Sequence, residues 1–468
     1  MQAKKSTFAL FFGNRGFFPA SLQAAAREEL PRVLKALGHD TLMLDADATR
    51  YGAVETPAEG ESYRKFLQAQ RGAFDGVILC LPNFGDETGA VAALKDAGVP
   101  ILIQAYPDEL AKMSPELRRD AFCGKFSIMD VFYQYGVKFT TLKPHVVHPE
   151  SPTFAANIAH FDRLCRVVGG MQNLVVGAIG ARTTAFKTVR IDELALQKHG
   201  ITVETFDLSD LFARLGKLAD QDAEVQAKAA RLKSYTTWAG VPDKAFRMLC
   251  KMSVAIDRLI AENRLDCVSL RCWLEMQQQL GVSPCVLLSE LNDRGIAAAC
   301  ELDTGNAVMM HALAQASGNV VTLLDWNNNY ADADDKCILF HCGPVPQSMM
   351  TAKGQVTGHA ILENAVGKGC SYGCNVGRIA AQPFTFGSLL TENGKLKVYL
   401  GEGRFTTDAI PADFFGCAGV AEIAQLQDAL RKIGYLGFRH HVSVAPGHVL
   451  ASVQEAFERY LGYDVTIV

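Results

Sequence analysis

No stretch of this chain approaches the ~18–20 uninterrupted apolar residues needed to cross a bilayer, so a membrane-spanning protein is not expected. Net charge is nearly absent too: 46 basic residues stand against 50 acidic ones. That balance excludes a protein relying on broad electrostatic attraction to nucleic acid or an anionic membrane surface. There is no full G-x-G-x-x-G, and Gly13-Asn14-Arg15-Gly16 lacks a Walker lysine, so it resembles a phosphate loop only loosely. Low-complexity segments, long linkers and internal repeats are missing. The stretch Met1 to Thr7 is polar, and the apolar run Phe8 to Phe12 is too short for a signal-peptide core. The 13 cysteines are odd in number, and Cys80, Cys267 and Cys300 lie inside apolar runs. They read as free thiols in a reducing cytoplasm.

What is present is ample apolar material: 49% of 468 residues, enough for two or three cores. From residue 8 to about 125, strand-like runs (Phe8–Phe12, Thr41–Leu44, Gly76–Leu81, Pro100–Gln104) alternate with amphipathic ones (about Ala20–Leu37, Gly60–Gln70, Glu87–Ala97). The alternation predicts a doubly wound parallel sheet. A second alternating unit opens at Leu174–Ile179 and continues through Val203–Phe206 and Cys267–Arg271. After Asn329, short runs such as Cys337–His341, Ala380–Phe386 and Lys395–Leu400 are separated by Gly, Pro and Asn and read as strands. A helix over about Val420–Ile433 and a run Arg439–Val444 follow. The expected architecture is α/β: two consecutive Rossmann-like doubly wound domains, 1–169 and 170–318, then a β-rich C-terminal domain, 319–468.

Two acids stand out. Ile296 to Cys300 runs into Glu301, and Val320 to Leu324 runs into Asp325, with one helix read over Asp303 to Ala316. Two strands joined by a crossover helix are expected to be parallel neighbours, with both acids at their carboxyl ends, where open α/β sheets bind ligands. Paired carboxylates suit a divalent metal, an acid/base pair, or both. Asp303-Thr304 looks like the N-cap of the helix. The bland alternative is that the acids are exposed strand ends, but Asp325-Trp326-Asn327-Asn328-Asn329 is too dense in polar groups for a simple turn.

Three of only 11 histidines, His440, His441 and His448, lie within nine residues. On a strand, His440 and His441 face opposite ways, so one of them points into a given pocket. An imidazole joining two carboxylates gives mixed N/O ligation, which suits Mn²⁺ and also admits Co²⁺ or Mg²⁺. His341 ends an apolar strand-like run. Cys337, Cys342, Cys370 and Cys374 offer a competing zinc reading, but their spacing lacks the usual two-residue pair, and they read mostly as small packing residues. Asn14 and Arg15, the loop reaching Lys187, and Trp273 with Gln277 each follow a strand-like run on the binding rim.

Taken together, these motifs make the chain similar to the L-fucose isomerase/L-arabinose isomerase superfamily, nearer the fucose isomerase branch, over essentially its whole length. The resemblance implies a metal site of Glu301 in Ala-Cys-Glu-Leu-Asp, Asp325 in Asp-Trp-Asn-Asn, and His441 in a frame with His448. It implies sugar binding by Arg15 and places His341 where the arabinose isomerase branch has a further histidine ligand. The implied reaction is aldose–ketose isomerisation of an open-chain sugar through an ene-diol, with Glu301 and Asp325 moving protons and His448 and Asn327 contacting hydroxyls. It also implies a homo-oligomer, trimer or hexamer, in which Arg15 acts on a neighbour's site. The loops at Arg15 and at Thr183 to Lys187 are not the usual sugar-pocket sequences. The substrate expected is therefore either L-fucose- or D-arabinose-like, or an anionic sugar such as sulfoquinovose held by Lys187 and Arg15. The rivals are a non-catalytic sugar-binding protein with two Rossmann-like lobes and a flavin- or nucleotide-dependent enzyme.

Overall fold

The structure, a computed structural model, describes residues 4–468. Two compact units form: Lys4–Gly169 with Arg459–Leu461, and Gly170–Glu458 with Gly462–Val468. In the first, strands β1 (Phe8–Phe12), β2 (Thr41–Met43), β3 (Gly76–Leu81) and β4 (Ile101–Ala105) form a parallel sheet ordered β2-β1-β3-β4. Every residue of β1, β3 and β4 is buried, which is why they read as unbroken apolar runs rather than alternating ones. Helices Ala20–Ala36, Pro57–Ala69 and Glu87–Leu94 connect them, two of them capped by side chains, Thr56 and Asp86.

The second unit opens with another parallel sheet, of β5 (Val175–Ile179), β6 (Thr202–Phe206), β7 (Cys267–Leu270) and β8 (Ala297–Cys300), ordered β6-β5-β7-β8. The β-rich part follows. It comprises β9 (Thr322–Asn329), β10 (Lys336–His341), β11 (Gln355–Thr357), β12 (Cys374–Arg378), β13 (Gln382–Glu392), β14 (Lys395–Phe405), β15 (Cys417–Glu422), β16 (His441–Pro446) and β17 (Asp464–Ile467). Six of these close on themselves in the order β15-β10-β9-β16-β13-β14, because β14 also pairs with β15, and every pairing in the ring is antiparallel. The barrel interior is filled by Leu324, Leu339, Phe384, Phe386, Tyr399, Phe405, Val442 and Val444. Two parallel α/β sheets followed by a β-rich C-terminal part are what the sequence pattern predicts. Among the described residues no helix is long and apolar enough to cross a membrane.

Two expectations need correction. β8 and β9 are not neighbours in one sheet: β8 is the edge of the parallel sheet, whereas β9 pairs antiparallel with β10 and β16 in the barrel. The intervening helix, Thr304–Ser317, is buried on nearly every side. A helix apolar all round has no solvent face. It packs against both the parallel sheet and barrel strands β13 and β16, so it crosses from one layer to the other instead of returning. The second correction is that the helix expected from Val420 begins at Leu426 and ends at Tyr435. Cys417–Glu422 before it is a fully paired barrel strand made of small apolar residues, whose strand propensity is weak and whose conformation is set by its partners.

Candidate metal and catalytic site

Glu301 follows β8 directly. It and Leu302 both have left-handed backbone, φ +60° and +58°. Neither is glycine, and each such residue costs on the order of 1–3 kcal/mol, a cost that recurs at functional sites. The turn is held by Leu302 N–H donating to Leu270 O at 3.1 Å and Asp303 N–H to Cys300 O at 3.1 Å. It presents Glu301 at the sheet edge and lets Asp303 cap the helix, accepting from Asn306 N–H at 3.1 Å.

Asp325 and His441 come from the barrel. They are directly paired across β9 and β16, and the neighbouring pair Leu324 and Val442 points into the barrel core. Side chains alternate along a strand, so Asp325 and His441 share the outer face. His441 Nε2 lies 3.0 Å from Glu301 Oε2 and 3.5 Å from Asp325 Oδ1. Two carboxylates, one from each layer, thus converge on one nitrogen of His441. The other ring nitrogen, Nδ1, donates to Asp303 Oδ2 at 2.8 Å. Asp303 is fully buried and is itself gripped by Arg439 and by Asn306 Nδ2 at 2.6 Å. A carboxylate fixing Nδ1–H leaves Nε2 aimed at the acids, the arrangement that orients imidazoles on metals.

Burial pushes the Asp303 carboxyl up, but Arg439 and His441 outweigh it and hold the group well below the usual carboxylate range. Burial also opposes ionisation of Glu301, yet the hydrogen bond and charge of His441 bring it below its ordinary value. For Asp325 burial prevails and its pKa is raised. Two acids side by side are therefore driven apart. Trp273 Nε1–H donates to Glu301 Oε1 at 3.1 Å, and the Phe186 ring packs on Trp273, His440 and His441 with centroids 5.7, 5.5 and 5.6 Å away.

Two buried polar atoms here have no hydrogen-bond partner among the described residues, Asp325 Oδ1 and His341 Nε2. Asp325, His341 and His441 bring ligand atoms within 4.8 Å of one another, as do Glu301, His440 and His441. A carboxylate oxygen left bare beside an oriented imidazole suits a hard or borderline divalent cation. His341 Nδ1 is occupied by Cys342, whose backbone nitrogen lies 2.9 Å and whose Sγ lies 3.2 Å away, so Nε2 is the ring atom left facing the acids. Nε2 has the chemistry either to donate to a substrate oxygen or to join Asp325 and His441 around a cation.

The other sequence candidates are placed as follows. Lys187 is exposed and follows Phe186, so its loop reaches the aromatic edge of the site. Gln277 is buried, and its amide donates to Cys272 O and Ser283 Oγ. Asn327 is exposed where the β9–β10 register shifts. His448 pairs instead with Glu402, 3.2 Å away. In the first unit, buried Asn14 accepts from Gln23 and Asn83 and donates to Glu55. Arg15 donates to Gly85 O and Glu87 and lies over the Phe84 ring. Sequence reasoning saw Asp303 only as a cap and Cys342 only as a zinc or packing candidate, and gave Arg439 and Phe186 no role. The i, i+2 pairs Glu301/Asp303 and Arg439/His441 were the available signal, because alternate residues can share a face.

Residues 9–172 match the family profile described as "Fucose/sulfoquinovose isomerase, N-terminal domain", and residues 339–468 match "L-fucose isomerase, C-terminal domain". A protein named sulfoquinovose isomerase from Priestia aryabhattai is 20% identical over 396 residues, 83% of this chain and 85% of its own length. Another of that name from Clostridium sp. (strain MSTE9) is 26% identical over 307 residues, 64% of this chain and 66% of its own. Among solved structures, an ABC transporter solute binding protein from Burkholderia multivorans aligns with 11% identity over 68% of this chain and 95% of its own length, at a TM-score of 0.19, too slight to carry weight.

Proposed function

We propose, on the premise that this chain belongs to the fucose isomerase family and is an aldose–ketose isomerase, that its substrate is sulfoquinovose and that Glu301, Asp325, His441 and Asp303 form its reaction centre. The observation that carries this is the convergence of Glu301 and Asp325 on His441 Nε2, with Asp303 behind the ring. The names of the relatives support the choice of sugar.

Glu301, Asp325 and His441 would hold a divalent cation, Mn²⁺ by donor type. Bound there, it would supply Lewis acidity toward the carbonyl and adjacent hydroxyl oxygens of the open-chain sugar. Glu301, held by His441 and by the Trp273 N–H, removes the proton from C2 and, after that proton has exchanged with solvent, delivers one to C1. Asp325, facing the same space, relays the proton of O2 to O1 in the ene-diol stage, so that the carbonyl passes from C1 to C2. His341 Nε2–H is free to hold a substrate oxygen. Lys187 supplies a cation for the sulfonate, on a loop tied to the site by Phe186. We also propose, from the resemblance alone, a homo-oligomer, trimer or hexamer, in which Arg15 reaches a neighbour's site; light scattering during gel filtration tests the stoichiometry.

The decisive experiment measures ketose formation by metal-stripped protein, with and without Mn²⁺, on sulfoquinovose, L-fucose, D-arabinose and a uronic acid. The expected result is Mn²⁺-dependent conversion of sulfoquinovose, with one solvent deuteron at C1 of the product in D₂O. Conversion of neutral sugars alone overturns the substrate, and equal activity without any metal overturns the cation's role.

A further inference from the structure

Beneath this site lies a second cluster of ligating groups that the reaction does not use. Cys285 begins the helix Cys285–Asp293, Cys300 ends β8, Cys342 follows β10, and Cys374 begins β12. All four are buried and none is in a disulfide. Cys285 Sγ is 3.4 Å from Cys342 Sγ and 3.9 Å from Cys374 Sγ. The sulfurs of Cys285, Cys300 and Cys342 all lie within 4.8 Å of one another. A fifth buried thiol, Cys272, borders the cluster with its Sγ 3.2 Å from that of Cys300.

Thiols used only as small packing residues have no reason to converge from four elements. A tetrahedral ion with sulfur ligands at ~2.3 Å needs sulfurs about 3.8 Å apart, and the observed separations bracket that value. The backbone is also arranged for the approach. Gly343 and Gly373 flank two of the cysteines at φ +157° and +140°. A Cβ on Gly343 would lie 2.5 Å from Asn375 N, and one on Gly373 would lie 1.8 Å from Ser283 O. Only glycine permits the chain to bring Cys342 to Cys374, and Cys374 to Cys285, this closely.

We propose that Cys285, Cys300, Cys342 and Cys374 bind one thiophilic divalent cation, Zn²⁺, as a closed four-thiolate structural site. Four buried sulfur donors favour zinc over the harder cation suited to the acids above it. Binding releases the four thiol protons to solvent, so no oxidant or reductant is involved. The ion ties the edge of the parallel sheet to the barrel. Cys300 precedes Glu301 and Cys342 follows His341, so it also fixes the backbone from which both reach the site. The proposed set shares Cys342 and Cys374 with the zinc reading of the sequence but not Cys337 or Cys370. Cys285 and Cys300 complete the set, whereas Cys337 packs in the barrel core.

The test is zinc-edge X-ray absorption on zinc-loaded, gel-filtered full-length protein, together with cobalt substitution of the metal-stripped protein. The expected result is a sulfur-only shell at ~2.3 Å. The cobalt form should show near-ultraviolet thiolate charge transfer that survives Glu301→Gln and disappears, with one equivalent of metal, in Cys374→Ser. A nitrogen/oxygen-only shell, or no retained zinc at all, overturns the site. So does a cobalt spectrum unchanged in Cys374→Ser. If that variant does not fold, the wild-type absorption edge decides alone. Neither readout depends on turnover, so this site can stand or fall separately from the proposed reaction.

Discussion

At the scale of single residues, Glu301 bears the heaviest demand. It sits in left-handed backbone, beside a histidine, with a tryptophan N–H on its far oxygen. Glu301→Gln keeps shape and hydrogen-bonding reach but removes the base, so the fold should persist while kcat falls at least about a thousandfold. Circular dichroism and initial rates check this; an active, metal-replete variant sinks the mechanism. Asp303 is a positioning residue. Asp303→Ala leaves Arg439 buried without its partner, a cost of about 3–5 kcal/mol in denaturant unfolding. It should also weaken Mn²⁺ binding about 10–100-fold in calorimetry, because His441 loses the group that orients it. Asp303→Asn should recover more of the stability than of the metal affinity. Much of this site is legible in the chain. Glu301, Asp325 and His441 stand out as polar residues ending or starting apolar runs. Asp303 does not, since an acid at a helix start already has an ordinary explanation, and its grip on Arg439 and His441 depends on a contact more than a hundred residues away.

At the scale of elements, strand and helix types are readable wherever the apolar period is strong, as in β1, β3 and β5. Partnership is not readable in the same way. The pattern before Glu301 and before Asp325 is the same apolar run, although one belongs to a parallel sheet and the other to a barrel. What separates them is the helix Thr304–Ser317, whose lack of a polar face shows it to be covered on both sides. The helix Ala121–Gln134 carries a different signal, a buried lysine. Lys125 Nζ donates to His145 O at 2.8 Å, and burial lowers its pKa to about 8. The folded protein therefore binds fewer protons than the unfolded chain between pH 8 and about 10.5, and this group's contribution to stability rises over that window. Lys125→Met should be more stable relative to wild type below pH 8 than above pH 10. The gap should close by about 3 kcal/mol at most as pH rises. A gap that stays constant with pH would show that the lysine is charged in the fold.

At the scale of the whole molecule, two kinds of ligand set lie in neighbouring layers of the second unit: oxygen and nitrogen above, sulfur below. Metal binding to the folded state alone adds stability by mass action, about 2.7 kcal/mol at a hundredfold excess over Kd. Stripping with EDTA should lower Tm, and Mn²⁺ titration should restore part of the loss in wild type but little of it in His441→Ala. Lys187→Ala should raise KM for sulfoquinovose roughly tenfold or more without changing KM for a neutral sugar, since a charge-assisted contact is worth about 1.5–3 kcal/mol. The substrate was the least legible property of this chain. Charge on two loops suggested an anion, but the hydroxyl contacts that choose a stereoisomer leave no one-dimensional pattern.

The pairing of Asp325 with His441 across β9 and β16 also sets a clock. These strands are distant in sequence, and loop closure makes such non-local pairs late and slow to form. A slip of one residue would turn both side chains to the wrong face, so no misregistered chain can imitate the assembled pair. During refolding, high-affinity Mn²⁺ uptake should therefore lag behind the return of helical circular dichroism and coincide with closure of the barrel. The metal would then report the completion of folding, and catalysis would be withheld from every intermediate that precedes it.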